Sequence, residues 1–109
     1  MKLPKNAIIA PEKIHRYLLI TLPDSDKALF LSTAGYSLEN WSILLKDIRS
    51  QLLPLNATLS RETKFGTMYE IRGTLKGPNG KRLKIISVWM NEFETKQTKF
   101  ITLYPDKEK

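Results

Sequence analysis

The chain contains no cysteine and a single histidine among its 109 residues. Disulfides, thiolate metal sites and multi-histidine metal sites are therefore excluded. No apolar run is long enough to span a bilayer, and the opening stretch from Met1 to Pro11 holds too short an apolar segment for a signal peptide. These absences lead to the expectation of a soluble, cytoplasmic protein with no membrane partner, no metal and no cofactor. Also missing are the P-loop, Gly-x-Gly-x-x-Gly, Gly-x-Ser-x-Gly, His-Glu-x-x-His and the acidic calcium loop, so no familiar catalytic motif names a reaction.

What is present is a basic chain of ordinary hydrophobic content, expected to form one domain over residues 1–109. A chain of this length hides roughly 65% of its extended surface, enough for one core without staples. The net charge is +7. Residues 1–60 hold seven Lys/Arg against five Asp/Glu, and residues 61–109 hold eleven against six, so the excess sits in the C-terminal half. Such a surface favours RNA or an acidic partner protein. Solubility is the bland alternative.

Hydrophobic periodicity divides the chain into an extended arm (1–10), a helical part (11–53), an antiparallel sheet (57–105) and a frayed tail (106–109). Pro11 suits the first position of a helix running to about Thr21, with Ile14, Tyr17, Leu18 and Thr21 inward and Lys13 and Arg16 outward. Leu22-Pro23 ends it. Asp24 or Ser25 caps a second helix, Asp26 sits in its first turn, Ala28 and Leu31 face inward with Phe30 beside them, and Ala34-Gly35 stops it. Ser37 caps a third helix, in which Leu38, Trp41, Leu44, Leu45, Ile48 and Leu52 form one stripe, ended by Pro54. From Ala57 the period becomes two. Strands are expected at 57–62, 68–76, 81–90 and 98–104. The fold class is α+β, with about three N-terminal helices packed on one face of a C-terminal four-stranded antiparallel meander.

Gly77-Pro78-Asn79-Gly80 sets the register of that meander. A three-residue loop with Gly80 in the left-handed conformation pairs Gly77 with Lys81. Leu75 then opposes Leu83, Gly73 opposes Ile85, Ile71 opposes Ser87 and Tyr69 opposes Trp89, forming a core face. Lys76 opposes Arg82, Thr74 opposes Lys84 and Arg72 opposes Ile86 on the other face. A two-residue loop would set Leu75 against Arg82.

The second face, with Ile86, Val88 and Met90 at one end and Arg72, Lys84 and Lys76 at the other, reads as the floor of a groove. The alternative is that Ile8 and Ile9 of the arm cover its apolar end. In the last strand, if Ile101 and Leu103 face the helices, then Phe100, Thr102 and Tyr104 lie opposite. Thr102 and Tyr104 then stand beside Arg72 and Lys84, where hydroxyls and cations suit a phosphate and aromatic rings can stack a base. Thr and Tyr are also simply good strand formers. Lys27 can aim its ammonium at an anion near the sheet edge, or be solvated. His15 is a candidate general base, or a surface histidine. Arg61 and Lys64 extend the nucleic-acid-binding set of Lys76 and Arg82, or protect an edge strand.

Leu3-Pro, Asn6, Pro11-Glu-Lys-Ile, Tyr17-Leu-Leu, Lys27-Ala-x-Phe30, Gly35-Tyr36, Trp41, Phe65-Gly, Tyr69, Gly73-Thr-Leu-x-Gly-Pro-Asn-Gly80, Val88-Trp89 and Thr102-x-Tyr-Pro105 together resemble an uncharacterised family of small bacterial domains. Some members look like modules of toxin or toxin–antitoxin systems. The order of helices then meander also resembles the small metal-independent ribonuclease toxins of the barnase–colicin–RelE type. That likeness implies an active surface on the exposed sheet face, with Arg72, Lys84, Thr102, Tyr104, Lys27 and His15 as catalytic candidates. Many relatives carry a histidine before the equivalent of Lys27, where this chain has Asp26. Two functions follow: an RNA-directed ribonuclease, or a non-catalytic module of a toxin–antitoxin-like pair that docks an acidic protein.

Overall fold

Four consecutive stretches of period-two sequence form one antiparallel sheet: β1 (Thr58–Glu62), β2 (Gly66–Lys76), β3 (Arg82–Glu92) and β4 (Thr98–Pro105), in the order β1-β2-β3-β4. The structure, a computed structural model, describes residues 1–20 and 27–107. The expected caps at Asp24, Ser25 and Asp26, and the helix stop at Leu22-Pro23, lie outside those residues.

The β2–β3 hairpin has the register that the turn chemistry predicts, with Leu75 opposite Leu83, Gly73 opposite Ile85 and Tyr69 opposite Trp89. Gly80 takes φ of +90° and donates to the Gly77 carbonyl at 2.9 Å, while the Gly77 N–H reaches the Lys81 carbonyl at 2.9 Å. A side chain with a Cβ is strained at that φ, which is why glycine stands there. Asn79 docks the turn onto the helical layer: its Nδ2 donates to the Thr33 carbonyl at 3.0 Å and its N–H to the Ala34 carbonyl at 3.2 Å.

The helical layer is less regular than the sequence pattern suggests. A single α-turn, α1 (Pro11–Lys13), widens into a π-turn over Ile14–Leu18, closed by the Leu19 N–H on the Ile14 carbonyl at 3.0 Å. This helix stops at Leu18, short of the expected Thr21. Ile14 and Leu18 are buried, but the wider turn swings Tyr17 out, leaving it 37% exposed. Next comes α2 (Lys27–Ser32), which buries Ala28 and Leu31. Gly35, at φ +94°, follows it as a left-handed stop.

Asn40 Oδ1 accepts from the Ser37 N–H at 2.7 Å and organises a 3₁₀ turn, Leu38–Asn40, that leads into α3 (Trp41–Asp47) and then a π-turn over Ile48–Leu52. Leu44, Ile48 and Leu52 are fully buried, and Trp41 and Leu45 pack against them. Leu38 is exposed, contrary to the stripe. It sits in the tighter 3₁₀ turn, whose three-residue repeat is out of phase with the helix that follows. The π-turn lies on β2 so closely that a Cβ on Gly73 would meet Leu55 and Leu52.

The core lies between this layer and one sheet face. Ile71, Leu75, Ile85, Trp89 and Leu103 are fully buried in it. Two of its polar groups pair with each other: Trp89 Nε1 donates to Ser87 Oγ at 2.9 Å, and that hydroxyl donates to the Ile71 carbonyl at 3.2 Å, whereas the buried Thr98 Oγ1 has no hydrogen-bond partner among the described residues. Phe100 was expected opposite Leu103 but belongs to the same core, 2% exposed and edge-on to Trp89 with ring centroids 5.2 Å apart. The cause is a bulge in β4: Val88 pairs with Thr102 but Trp89 pairs with Phe100, so Ile101 is the extra residue and the alternation flips.

The arm runs beside β4. Ile8 bridges Lys99 in parallel, through its N–H to the Thr98 carbonyl and its carbonyl to the Phe100 N–H, both at 2.8 Å. Ala7 and Ile9 enter the core on the helical side. Arg49 holds the arm by donating to the Lys5 and Ala7 carbonyls at 3.1 and 2.9 Å.

Candidate functional site

Strand alternation and the pairing register place the outer sheet face in rows. Lys76 lies opposite Arg82, and Thr74 opposite Lys84. Arg72, Ile86 and Tyr104 form the next row, then Glu70, Val88 and Thr102, then Arg61, Met68, Met90 and Lys99. Cations thus occupy both ends of the face, and a short apolar floor separates them. Ile86 is buried beneath this surface. The surrounding long side chains shield it.

Two polar pairs stand over the floor. Tyr104 donates its hydroxyl to Glu70 Oε2 at 3.3 Å. Burial, with the Glu70 carboxylate next, pushes the Tyr104 pKa above that of a free tyrosine, so the phenol holds its proton through neutral pH. Arg72 Nη1 contacts both oxygens of Asp106, the shorter distance being 3.2 Å, and the Asp106 N–H donates to the Lys84 carbonyl at 2.9 Å. Asp106, expected in a frayed tail, is therefore pinned to β3 and orients Arg72. Arg72, Ile86, Tyr104, Asp106 and Lys107 line an open depression of about 520 Å³. A second depression of about 430 Å³ is lined by Thr74, Lys76, Arg82 and Lys84 toward the turn.

The remaining candidates fall elsewhere. Lys27 Nζ donates to Thr102 Oγ1 at 2.9 Å and to the Tyr17 hydroxyl at 2.8 Å, at the β4 edge where the bulge lies. The hydrogen bond from Lys27, then that of the Thr102 hydroxyl, lowers the Tyr17 pKa below its ordinary value. The register puts Arg72, Lys84, Thr102 and Tyr104 on the same outer face, with Thr102 at its β4 edge held by Lys27 of α2. His15 lies edge-on to Trp41, ring centroids 4.9 Å apart, and is not brought to that face. Lys64 lies over the ring of Phe65 at 5.1 Å, in the β1–β2 turn.

Glu70 and Asp106 are the polar partners that sequence reasoning missed. Glu70 had a legible signal, being two residues before Arg72 on the same strand face. Tyr17 had none, because its position depends on the π-turn. Among the described residues, no group of three or more His, Cys, Asp or Glu is arranged to hold a metal ion, and no helix is long and apolar enough to cross a membrane.

The chain belongs to a family described as a domain of unknown function (DUF6883), which matches residues 2–107. No curated protein and no solved structure matches it.

Proposed function

We propose that the outer face of β2–β4 binds single-stranded RNA and cleaves it without a metal ion. The observation that carries this reading is the contact of a carboxylate, Glu70, with a protonated phenol, Tyr104, on a face flanked by Arg72 and Lys84. Cleavage by the 2′-hydroxyl needs a proton acceptor, a proton donor and positive charge at the phosphate. Glu70 takes the 2′-hydroxyl proton as the 2′-oxygen attacks phosphorus. The bond from phosphorus to the 5′-oxygen breaks, and Tyr104 protonates that oxygen. Arg72 and Lys84 neutralise the non-bridging oxygens. The products are a 2′,3′-cyclic phosphate and a 5′-hydroxyl, and a proton passed from Glu70 to Tyr104 restores the site. The resemblance to ribonuclease toxins supports the same face.

The test is incubation of the purified protein with single-stranded RNA in EDTA. Cleavage with a cyclic phosphate end is expected, with Glu70→Gln and Tyr104→Phe each slowing it by about 10²–10⁴-fold. Intact RNA at micromolar protein overturns the reading. A docking role is the second reading. It is favoured by β1, an edge strand exposed along its whole length, with Leu59, Phe65 and Phe93 exposed. Co-purification of an acidic protein, lost on Leu59→Lys, would support that role in place of cleavage.

A further inference from the structure

Two irregularities meet at the β4 edge. The π-turn of Ile14–Leu18 carries Tyr17 outward, and the β4 bulge at Ile101 adjoins Thr102, which keeps its outer-face place opposite Val88. Lys27 joins them, its ammonium 2.8 Å from the phenol oxygen, 2.9 Å from the threonine hydroxyl and 4.9 Å from the tyrosine ring centroid. π-turns and bulges interrupt regular hydrogen bonding and recur where a fold re-aims side chains for function. Beside this trio lies a cleft of about 460 Å³ whose lining includes Glu12, Lys13, Arg16, Tyr17, Ile101 and Thr102. Among the described residues, two cations of that lining, Lys13 and Arg16, stand with one carboxylate, Glu12.

The trio is not part of the Glu70–Tyr104 pair, yet it adjoins it. Thr102 and Tyr104 are two residues apart on β4, about 7 Å along the strand. We propose that this cleft is a second phosphate-binding subsite, holding a flanking phosphate of the strand whose cleaved phosphate lies at Arg72 and Lys84. Lys13 and Arg16 supply the charge. Tyr17, held in place by Lys27, supplies a hydroxyl, and Ile101 gives an apolar wall against which a sugar or base can rest. Lowering of the Tyr17 pKa by Lys27 and Thr102 marks the same spot as one that favours negative charge. The inference rests on the reading of the outer face as an RNA surface, and it makes the preferred ligand an oligonucleotide longer than a single phosphodiester.

The test uses a fluorescent single strand with 2′-deoxyribose, which lacks the attacking hydroxyl and so reports binding alone. Arg16→Ala with Lys13→Ala is expected to weaken its binding several-fold. The slope of log affinity against log salt should fall by about 0.7 for each phosphate contact removed. On RNA, the same variant is expected to raise KM for a long strand and leave a dinucleotide unaffected. Tyr17→Phe, which keeps the ring over Lys27, should show a smaller loss of the same kind. Unchanged affinity and unchanged salt slope in the Lys13/Arg16 variant overturn the subsite, even when the protein cleaves RNA. If no RNA is cleaved but the 2′-deoxy strand is bound and released as described, the subsite stands and the chemistry assigned to Glu70 and Tyr104 falls.

Discussion

The two faces of β2 and β3 are built from alternate residues of the same strands, yet they solve opposite problems. On the inner face Ser87 is matched internally, by Trp89 and the Ile71 carbonyl, and among the described residues Thr98 Oγ1 on β4 is the buried side-chain atom left without a partner. On the outer face the polar groups meet across open depressions, as Tyr104 meets Glu70 and Arg72 meets Asp106. The inner-face pair has its partners within the chain. The outer face keeps donors, acceptors and charge where an external ligand can compete for them. Substitution should therefore trade stability on one side and function on the other.

Trp89→Ala gives the largest stability effect. It empties a fully buried site against Phe100 and should cost about 3–5 kcal/mol by urea unfolding. Arg72→Ala should do the reverse. Its ion pair is exposed at the arginine end, so stability should change by no more than about 1 kcal/mol. RNA cleavage should fall by about 10²–10³-fold, as for removal of one transition-state donor. Equal losses of stability and activity would erase the contrast.

Gly73→Val tests the inner face where helix meets sheet. Leu52 is buried and cannot move far, whereas Leu55 is partly exposed and can swing away. A cost of about 1–3 kcal/mol is expected, larger than that of Gly73→Ala. The smallest effect concerns alkaline pH. Burial and the Asp47 carboxylate, 2.6 Å from its hydroxyl, raise the Tyr36 pKa. The folded chain keeps a proton that the unfolded chain releases above about pH 10, so stability falls as pH rises through that range. In Tyr36→Phe the urea midpoint should fall less steeply there, from a slightly lower starting value.

The parts of this arrangement that could be read from sequence are those governed by short-range rules. Gly80 dictates the turn, the turn dictates the register, and the register sorts Leu83, Ile85 and Trp89 from Lys84, Ile86 and Val88. The parts that could not be read depend on irregular backbone. One extra residue at Ile101 moved Phe100 into the core, and one π-turn moved Tyr17 from the inner side of its helix to the sheet edge. Period-two and period-3.6 patterns carry no warning of either. The pairing of Arg72 with Asp106 was hidden for another reason. It joins residues far apart in sequence, through a tail whose composition suggests no order.

The contrast between the faces is tested most directly by amide chemical-shift mapping with a 2′-deoxy single strand at low salt. The account predicts perturbations concentrated at Glu70, Arg72, Lys84 and Tyr104, with the α3 surface silent. Perturbations centred on the helical layer around Trp41, or none at any residue, would contradict it.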